Sequence, residues 1–566
     1  MPCSKRSPRF YVEKSFPSEK NSYKYLLVTM IPMRLKSRKY IVILGSLMSG
    51  LGKGILSASI SKLLQSKGLK VSPIKFDGYL NVDCGTMNPF RHGEVFVLDD
   101  GTECDMDFGT YERFLNMDLS GKNSITGGKL FRNVIEKERK GGFLGRDVQI
   151  VPHLTDEIKN WIRKVGEEQD ADVVIVEVGG TVGDLENGYF LEAVRQFANE
   201  ESVLFVQLTY VHSLSEGELK TKPTQHANKL ILSMGIRPKI IVCRQDEPLT
   251  REAKEKISMF CNVPVQNVFD DPKIETIYEL PQILDKQNMT GLLLSELGID
   301  EKDEDLKQWR GLVDKIKSPK KKITVAITGK YTSVKDAYVS VKEALVHAGA
   351  HHCTKVNVQW VETSDIEEGK ATPKEILAGC DGIIVPGGFG SRGTEGKIAC
   401  IRYARENGLP FLGLCYGMQM AVVEWSRNKC KMEGANSTEI DPKTKYPVID
   451  FLPGQRGVSD KGATMRLGAW DCQLKKGTKA HAAYGTEKTS ERHRHRYEVN
   501  GDFAQKLSDS GLVISGTSPD GSIVEIIEWP DGFGIGTQAH PELKSRLERP
   551  APLFVAFVKA CIEPKK

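Results

Sequence analysis

The sequence predicts an α/β protein built from two doubly wound, mostly parallel-sheet domains. Three observations lead there. Two separate series of short apolar runs alternate with helical stretches, the order that lays strands side by side with helices on both faces of a sheet. Each series contains a glycine-rich turn between a strand and a helix, at the sheet edge where such folds place their chemistry. A charged, proline-containing stretch with little apolar content separates the two series. At 566 residues the chain is also too long for one ordinary core.

The first series opens with the strand Lys39–Leu44, a glycine-rich turn and the helix Ile55–Leu64. Strands follow at Lys70–Lys75, Asp172–Val178, Val203–Thr209 and Lys239–Cys243, and the pattern weakens over 250–300. Asp300 to Asp305 opens a charged helix that ends in Lys317-Ser318-Pro319-Lys320-Lys321-Lys322. The second series runs through Ile323–Ile327, Val356–Val361, Asp381–Val385 and Pro410–Leu414, and closes with strands near Ile523–Trp529 and Gly534–Gln538. The expected organisation is a basic extension over 1–38, a domain over 39–298, a linker over 299–322 and a second domain over 323–566.

Composition excludes several classes of function. Hydrophobic content of 40% and charged content of 27% are those of a globular protein. No run of 18 uncharged apolar residues is present, so no membrane span is expected. The net charge of +5 is misleading, because residues 1–38 carry nine Lys/Arg against Glu13 and Glu19, a net of +7. The remainder is 5 − 7 = −2, which removes the compositional case for a nucleic-acid partner. The extension itself reads as unstructured, with Met30 and Met33 as candidate later starts. The 12 cysteines lack paired spacing and form no His/Cys cluster for zinc, so they read as reduced thiols of a cytoplasmic protein.

In the second series, Gly413-Leu414-Cys415-Tyr416-Gly417-Met418-Gln419 reads as strand, sharp turn, helix, with a cysteine at the apex. Such an elbow projects the sulfur clear of the sheet, and the helix N-terminus favours the thiolate. Most free cysteines are buried and inert, so Cys415 needs partners. His540 and Glu542 follow the last strand and supply an imidazole to move the proton and a carboxylate to orient it. Val385-Pro386-Gly387-Gly388 ends another strand, leaving the N–H groups of Gly388 and Tyr416 to hold an oxyanion.

The first series carries different chemistry. Ser49-Gly50-Leu51-Gly52-Lys53-Gly54 lies between strand and helix, where backbone N–H groups and the helix dipole favour phosphate. It is P-loop-like but not a strict P-loop, because the leading glycine is misplaced and Gly54 stands for Ser/Thr. Magnesium then needs carboxylates from elsewhere, with Asp107 and Glu177 the candidates. Lys220-Thr221-Lys222-Pro223-Thr224-Gln225 suits a polyanion such as a triphosphate, although a lone K-x-K is usually a solvated surface.

The elbow, the strand-end Gly-Gly and the late His-Pro-Glu resemble the class I glutamine amidotransferases from about 323 to 560. That resemblance implies glutamine hydrolysis through a Cys415 thioester, with Gly388, Tyr416, Gly417, Met418, Gln419, Glu439 and Arg496 holding glutamine. Over nearly all of 39–562 the chain resembles the CTP synthases, in which a P-loop-like synthetase domain precedes the amidotransferase domain. The resemblance rests on Ser49 to Gly54, Asn81-Val82-Asp83, Glu136-Lys137-Glu138-Arg139, Glu177 to Asp184, Lys220 to Gln225, Gly413 to Gln419 and Arg492-His493-Arg494-His495-Arg496-Tyr497-Glu498-Val499-Asn500, with its alternating Arg and His.

The family resemblance implies that ATP, with Mg2+ on Asp107 and Glu177, phosphorylates the 4-oxygen of UTP, and that ammonia then displaces phosphate. It assigns Gly50, Leu51, Gly52, Lys53, Gly54, Ile55 and Asp107 to ATP, with Arg244, Pro272, Lys273 and Ile274 on the adenine side. Ser49, Lys220 to Gln225 (Thr221, Lys222, Pro223 and Thr224 included) and Lys256 would hold UTP. Asp184, Leu185 and Glu186 would receive the cytosine end of inhibitory CTP. It further implies an ammonia tunnel near His92 and Val95, GTP as allosteric activator at Phe389 to Lys397 with Arg392, a homotetramer and, in some members, filaments. The chain departs from the family at Leu44-Gly45-Ser46, Gly78, Cys84 and Thr110. Two rivals stay open: a cobyric-acid-type amidotransferase, opposed by Lys220 to Gln225 and the Arg/His run, and a non-catalytic filament subunit, opposed by intact Cys415, His540, Glu542 and Lys53.

Overall fold

A computed structural model describes residues 38–46, 48–213, 219–300, 305–330, 335–452, 454–455 and 462–563. The basic extension up to residue 37 and residues 301–304 of the expected linker lie outside the described residues.

The first half contains the strands β1 (Lys39–Gly45), β2 (Val71–Asp77), the short pair β3 (Phe96–Val97) and β4 (Glu103–Cys104), β5 (Ser124–Thr126), β6 (Val173–Val178), β7 (Val203–Tyr210), β8 (Ile240–Gln245) and β9 (Val268–Pro272). Its helices include α1 (Lys53–Gln65), α2 (Asp107–Leu115), α3 (Thr155–Glu168), α4 (Gly188–Glu200), α5 (Lys222–Ser233) and α6 (Arg251–Cys261). Seven strands form one parallel sheet in the order β9-β8-β7-β1-β6-β2-β5. Alternate residues of β1 serve opposite cores: Tyr40, Val42 and Leu44 pack with Ile158 and Ile162 of α3 and Phe190 and Val194 of α4. Ile41 and Ile43 pack with Leu56, Ile60 and Leu63 of α1. A sheet covered on both faces needs apolar residues at every position, which is why its strands read as continuous apolar runs. The order reverses around β1, so the turn into α1 sits at the switch point on the C-terminal edge.

The expected linker is a packed element. Helix α7 (Lys307–Lys317) buries Trp309 against Phe114 and Tyr278, and the indole N–H donates to the Tyr278 carbonyl at 2.8 Å. Lys62 lies 4.7 Å over the indole. The same core runs on through Val313 to Ala350, Leu543 and Leu547 of the second half.

The second half contains β10 (Lys321–Gly329), α8 (Val339–His351), β11 (Thr354–Glu362), β12 (Gly382–Val385), α9 (Thr394–Glu406), β13 (Phe411–Leu414), α10 (Tyr416–Asn428), β14 (Arg466–Leu474), β15 (Lys488–His495), β16 (Val513–Thr517), β17 (Val524–Glu528) and β18 (Gly534–Thr537). They form a nine-stranded sheet, β11-β10-β12-β13-β18-β17-β16-β14-β15. The first five strands are parallel and the last four continue it antiparallel. Of that extension only β17 was legible as an apolar run; β14 and β15 carry too many polar and charged residues to read as one. Its outermost strand, β15, carries the Arg/His run to the seam between the halves. Period-two geometry turns Arg492 and Arg494 toward the first half, while His493 and His495 are buried side by side with ring nitrogens 3.1 Å apart.

Trp309→Ala should destabilise the chain by about 3–5 kcal/mol, the usual range for emptying a large aromatic site. Urea denaturation checks this; a cost near zero would mean that α7 is a tether and not part of the core.

Candidate functional site

At the end of β13, Cys415 adopts φ 49° and ψ −100°, a left-handed conformation that a side chain rarely takes. Strain of this kind costs about 1–3 kcal/mol and persists only where surroundings enforce it. Here the Cys415 N–H donates to the Thr537 carbonyl at 2.7 Å. Gly417 allows α10 to press against the end of β12, since a Cβ there would lie 2.0 Å from the Val385 carbonyl oxygen. The sulfur is bounded by the Arg494 carbonyl at 3.8 Å and the Gln538 side-chain amide at 3.4 Å.

His540 Nδ1 and Glu542 Oε1 are 2.7 Å apart, and the His540 N–H donates to the Arg492 carbonyl at 2.7 Å. Burial works against a charged imidazole, yet the Glu542 carboxylate and Cys415 together push the His540 pKa up to about 10. Nucleophile, proton carrier and orienting carboxylate therefore stand in one constellation that can perform acyl transfer. They open into a cavity of about 530 Å³, ample for an amino-acid amide. Gly388, Glu439, Arg496 and Tyr497 also line it, and so do Gly85, Thr86, Met87, Pro89, Glu94 and Val95 of the first half. Glu439 accepts from the Gly390 N–H at 2.7 Å, and burial raises its pKa. Arg496 donates to Gln455 at 2.9 Å and to Thr464 at 2.5 Å.

Three residues expected to grip glutamine stand off the cavity wall. Gly417 and Met418 are packing residues of α10, and Gln419 is buried, donating to the Tyr497 carbonyl at 2.8 Å and to Gln538 at 3.3 Å. Tyr416 is buried with its hydroxyl 3.0 Å from the Gly390 carbonyl, so only its backbone N–H at the helix start remains a candidate contact. Gln538 was missed by sequence reasoning, since it sits in neither a glycine turn nor a charge pattern, and Tyr497 lies in the Arg/His run from Arg492 to Asn500 but was assigned no role. Val95 is on the wall, whereas His92 is exposed and off it.

The phosphate loop gathers a second constellation on the C-terminal edge of the first sheet. Lys53 Nζ rests 2.6 Å from the Gly180 carbonyl, and desolvation lowers its pKa. Gly54 lets the start of α1 meet the start of α2, because a Cβ would fall 2.3 Å from Asp107 Oδ1. Lys75 is buried with Asp105 at 2.7 Å, Asp107 at 2.6 Å and Asp77 at 3.8 Å. Glu177 accepts from Ser57 at 2.8 Å and from Tyr111 at 2.5 Å, and burial and then Asp107 raise its pKa. Burial likewise pushes Asp77 up to about 7. Four carboxylates (Asp77, Asp105, Asp107, Glu177) face two lysines (Lys53, Lys75), so full ionisation leaves 2 − 4 = −2. Such a surplus fits a divalent cation with oxygen ligands. No three His, Cys, Asp or Glu among the described residues converge on one metal position. A magnesium ion held by one or two carboxylates plus substrate phosphates meets both facts. Asp77 and Asp105 were not singled out in the sequence.

The Lys220 loop divides by burial. Thr221, Thr224 and Gln225 are buried; Gln225 donates to Thr221 at 3.1 Å, and Thr224 lies 3.2 Å from Thr209. They shape the start of α5, leaving Lys220, Lys222 and Pro223 nearer solvent, with Lys222 5.6 Å over the Phe260 ring. Lys256 is exposed on α6, and Ser49, Asp184, Leu185 and Glu186 are exposed at the same sheet edge. Asp184 accepts from the Thr181 N–H at 2.7 Å. Arg244 pairs with Asp271 at 2.8 Å where β8 and β9 end, beside Pro272, Lys273 and Ile274. The departure at Ser46 is absorbed: its hydroxyl donates to the Leu208 carbonyl at 3.0 Å. Among the described residues, no helix is long and apolar enough to cross a membrane.

A cysteine elbow with His and Glu on one sheet, and a lysine-and-carboxylate phosphate site on another, define a two-domain ATP-dependent amidotransferase. Family models for the CTP synthase N-terminus and for class I glutamine amidotransferases match residues 39–299 and 333–560. The chain is 51% identical to the CTP synthase of Caldanaerobacter subterraneus, covering 93% of this chain and 99% of that one. It is 48% identical to the CTP synthase of Methanocaldococcus jannaschii, covering 94% and 100%. Among solved structures it is similar to the Trypanosoma brucei CTPS glutaminase domain with bound acivicin, at 35% identity and TM-score 0.40, covering 43% of this chain and 95% of that one. The chain belongs to the CTP synthase family.

Because folding raises the His540 pKa, the native state keeps a proton that the unfolded chain releases from about pH 6.5 upward. The pair's contribution to stability is present in full below that pH and is lost as pH rises through about 10. Urea unfolding between these limits should show a decline that is shallower in Glu542→Gln; identical slopes would contradict the pairing.

Proposed function

We propose that the chain makes CTP from UTP, ATP and glutamine. The observation that carries this reading is the shared cavity: Gly85, Thr86, Met87, Pro89, Glu94 and Val95 of the half bearing the phosphate loop wall the space into which Cys415 opens.

In this reading Cys415 attacks the glutamine amide carbonyl, and the Gly388 and Tyr416 N–H groups hold the oxyanion. His540, oriented by Glu542, passes a proton to the departing nitrogen, so ammonia leaves neutral and a thioester remains for water to hydrolyse. Glu439 and Arg496 fix the amino-acid end. On the other sheet, the γ-phosphoryl of ATP goes to the 4-oxygen of UTP, with Lys53 and the loop N–H groups aligning the phosphates. Mg2+ bound by Asp107 and Glu177 would neutralise phosphate charge there. Ammonia then forms the C4–N bond, the C4–O bond breaks, and phosphate leaves. Lys220 and Lys222, with Lys256, suit the UTP triphosphate, while the exposed Asp184 to Glu186 turn suits a cytosine amino group.

Ammonia is mostly protonated in water at neutral pH and then not nucleophilic, so a wall shared by both halves favours internal transfer past Val95. Lys330, whose Nζ contacts the Phe389 carbonyl, and Arg392, which reaches the Lys330 carbonyl at 2.5 Å, make the segment from Phe389 a suitable contact for the activator GTP. Exposed Ile135, Leu144, Ile150 and Val151 on the first half favour assembly with further copies, as in a homotetramer.

CTP formation from UTP and ATP should be assayed with glutamine and, separately, with ammonium. Cys415→Ala is expected to lose the glutamine-driven rate and keep the ammonia-driven one; equal loss of both would refute the division of chemistry. Lys53→Ala should lose both, and retained synthesis would remove Lys53 from the phosphate site.

A further inference from the structure

The seam between the halves buries an ion cluster that neither reaction uses. Glu112, on α2, receives Arg492 of β15 through two bonds, Nη2 to Oε1 at 3.0 Å and Nη1 to Oε2 at 2.8 Å. Arg546 adds a third at 2.5 Å, and the Leu119 N–H a fourth at 2.7 Å. All three charged side chains are 0% exposed. Asp99 takes Arg492 Nε at 2.5 Å, and Asp118 takes Arg546 at 3.0 Å. Burying ions is costly, and apolar residues of similar volume often stabilise a fold as well or better. Stability alone therefore does not explain the cluster.

Its position relative to the cavity does. The Arg492 guanidinium lies 5.3 Å from the centre of the Phe96 ring, with Arg113 6.0 Å from the same ring. Phe96 directly follows Glu94 and Val95, which belong to the cavity wall. Glu94 is tied to the second half through the Ser340 N–H at 3.2 Å and the Ser340 hydroxyl, which Arg113 also reaches at 2.7 Å. The backbone of Arg492 meanwhile accepts the His540 N–H. One residue thus touches the proton carrier on one side and, on the other, the ring that directly follows the wall residues Glu94 and Val95.

We propose that Arg492 and Glu112 are positioning residues, a clamp that presses the Glu94–Val95 wall against the glutaminase half and retains the ammonia released at Cys415. The pair does not touch glutamine or nucleotide. Loosening it opens the seam, so hydrolysis continues while ammonia escapes to solvent. The proposal rests on the synthetic reaction proposed above.

The test measures glutamate and CTP together in wild type, Glu112→Gln and the double variant Glu112→Leu/Arg492→Met. Wild type is expected to release about one glutamate per CTP, and both variants about three or more, with ammonia-driven synthesis within about twofold of wild type. The double variant removes both charges at once, leaves Arg546 paired with Asp118, and carries the test if Glu112→Gln fails to fold. A ratio that stays near one in the folded variants overturns the clamp, whether their rates fall together or not at all. Failure of wild type to make CTP from UTP, ATP and ammonium would instead refute the reaction assigned to the chain.

Discussion

A carboxylate buried with two guanidiniums is the interaction on which the arrangement of this molecule turns. Glu112 and Arg492 are 380 positions apart in sequence, yet both are excluded from solvent and bonded in two places. Glu112 sits on the helix that begins with Asp107, and Arg492 sits two residues from Arg494, whose carbonyl faces the Cys415 sulfur. The pair therefore relates a phosphate site to a thiol site, each of which is local and could stand on its own sheet.

Each site follows the same physical rule. The C-terminal edge of a parallel sheet presents strand ends and helix starts, where backbone N–H groups converge and a polar residue can be held by its neighbours. On the first sheet this edge collects Lys53, Lys75 and four carboxylates in a region dry enough to shift their ionisation. On the second it holds Cys415 in a strained conformation, with its imidazole partner kept charged by Glu542. The half that bears Cys415 does not wall its cavity alone. Six residues between Gly85 and Val95 of one half complete the wall around the cysteine of the other.

Much of this was legible in the sequence, for reasons that can be named. Stretches such as Val173–Val176 are buried on both faces and read as unbroken apolar runs. The cysteine elbow was legible because close approach to Val385 requires a glycine beside it. The antiparallel strands β14 and β15 were not, because polar and charged residues interrupt them and several, such as Arg492 and Arg494, face the seam. Trp309 marked a packed helix inside a stretch whose charge and proline suggested a linker. Asp77, Asp105, Gln538, Glu94 and Glu112 left no local pattern at all, since each is defined by a partner brought near only by folding. Gly417, Met418 and Gln419 show the opposite case: a motif residue can be needed for the turn and yet stand off the cavity.

The central claim is that nitrogen passes from one half to the other without leaving the protein. Its most direct test is synthesis from glutamine labelled with 15N in the side-chain amide, in a bath of excess unlabelled ammonium at a pH where ammonia is scarce. Mass spectrometry of the CTP should find the label at the exocyclic nitrogen of nearly every molecule formed. Label diluted to the composition of the bath would contradict internal transfer.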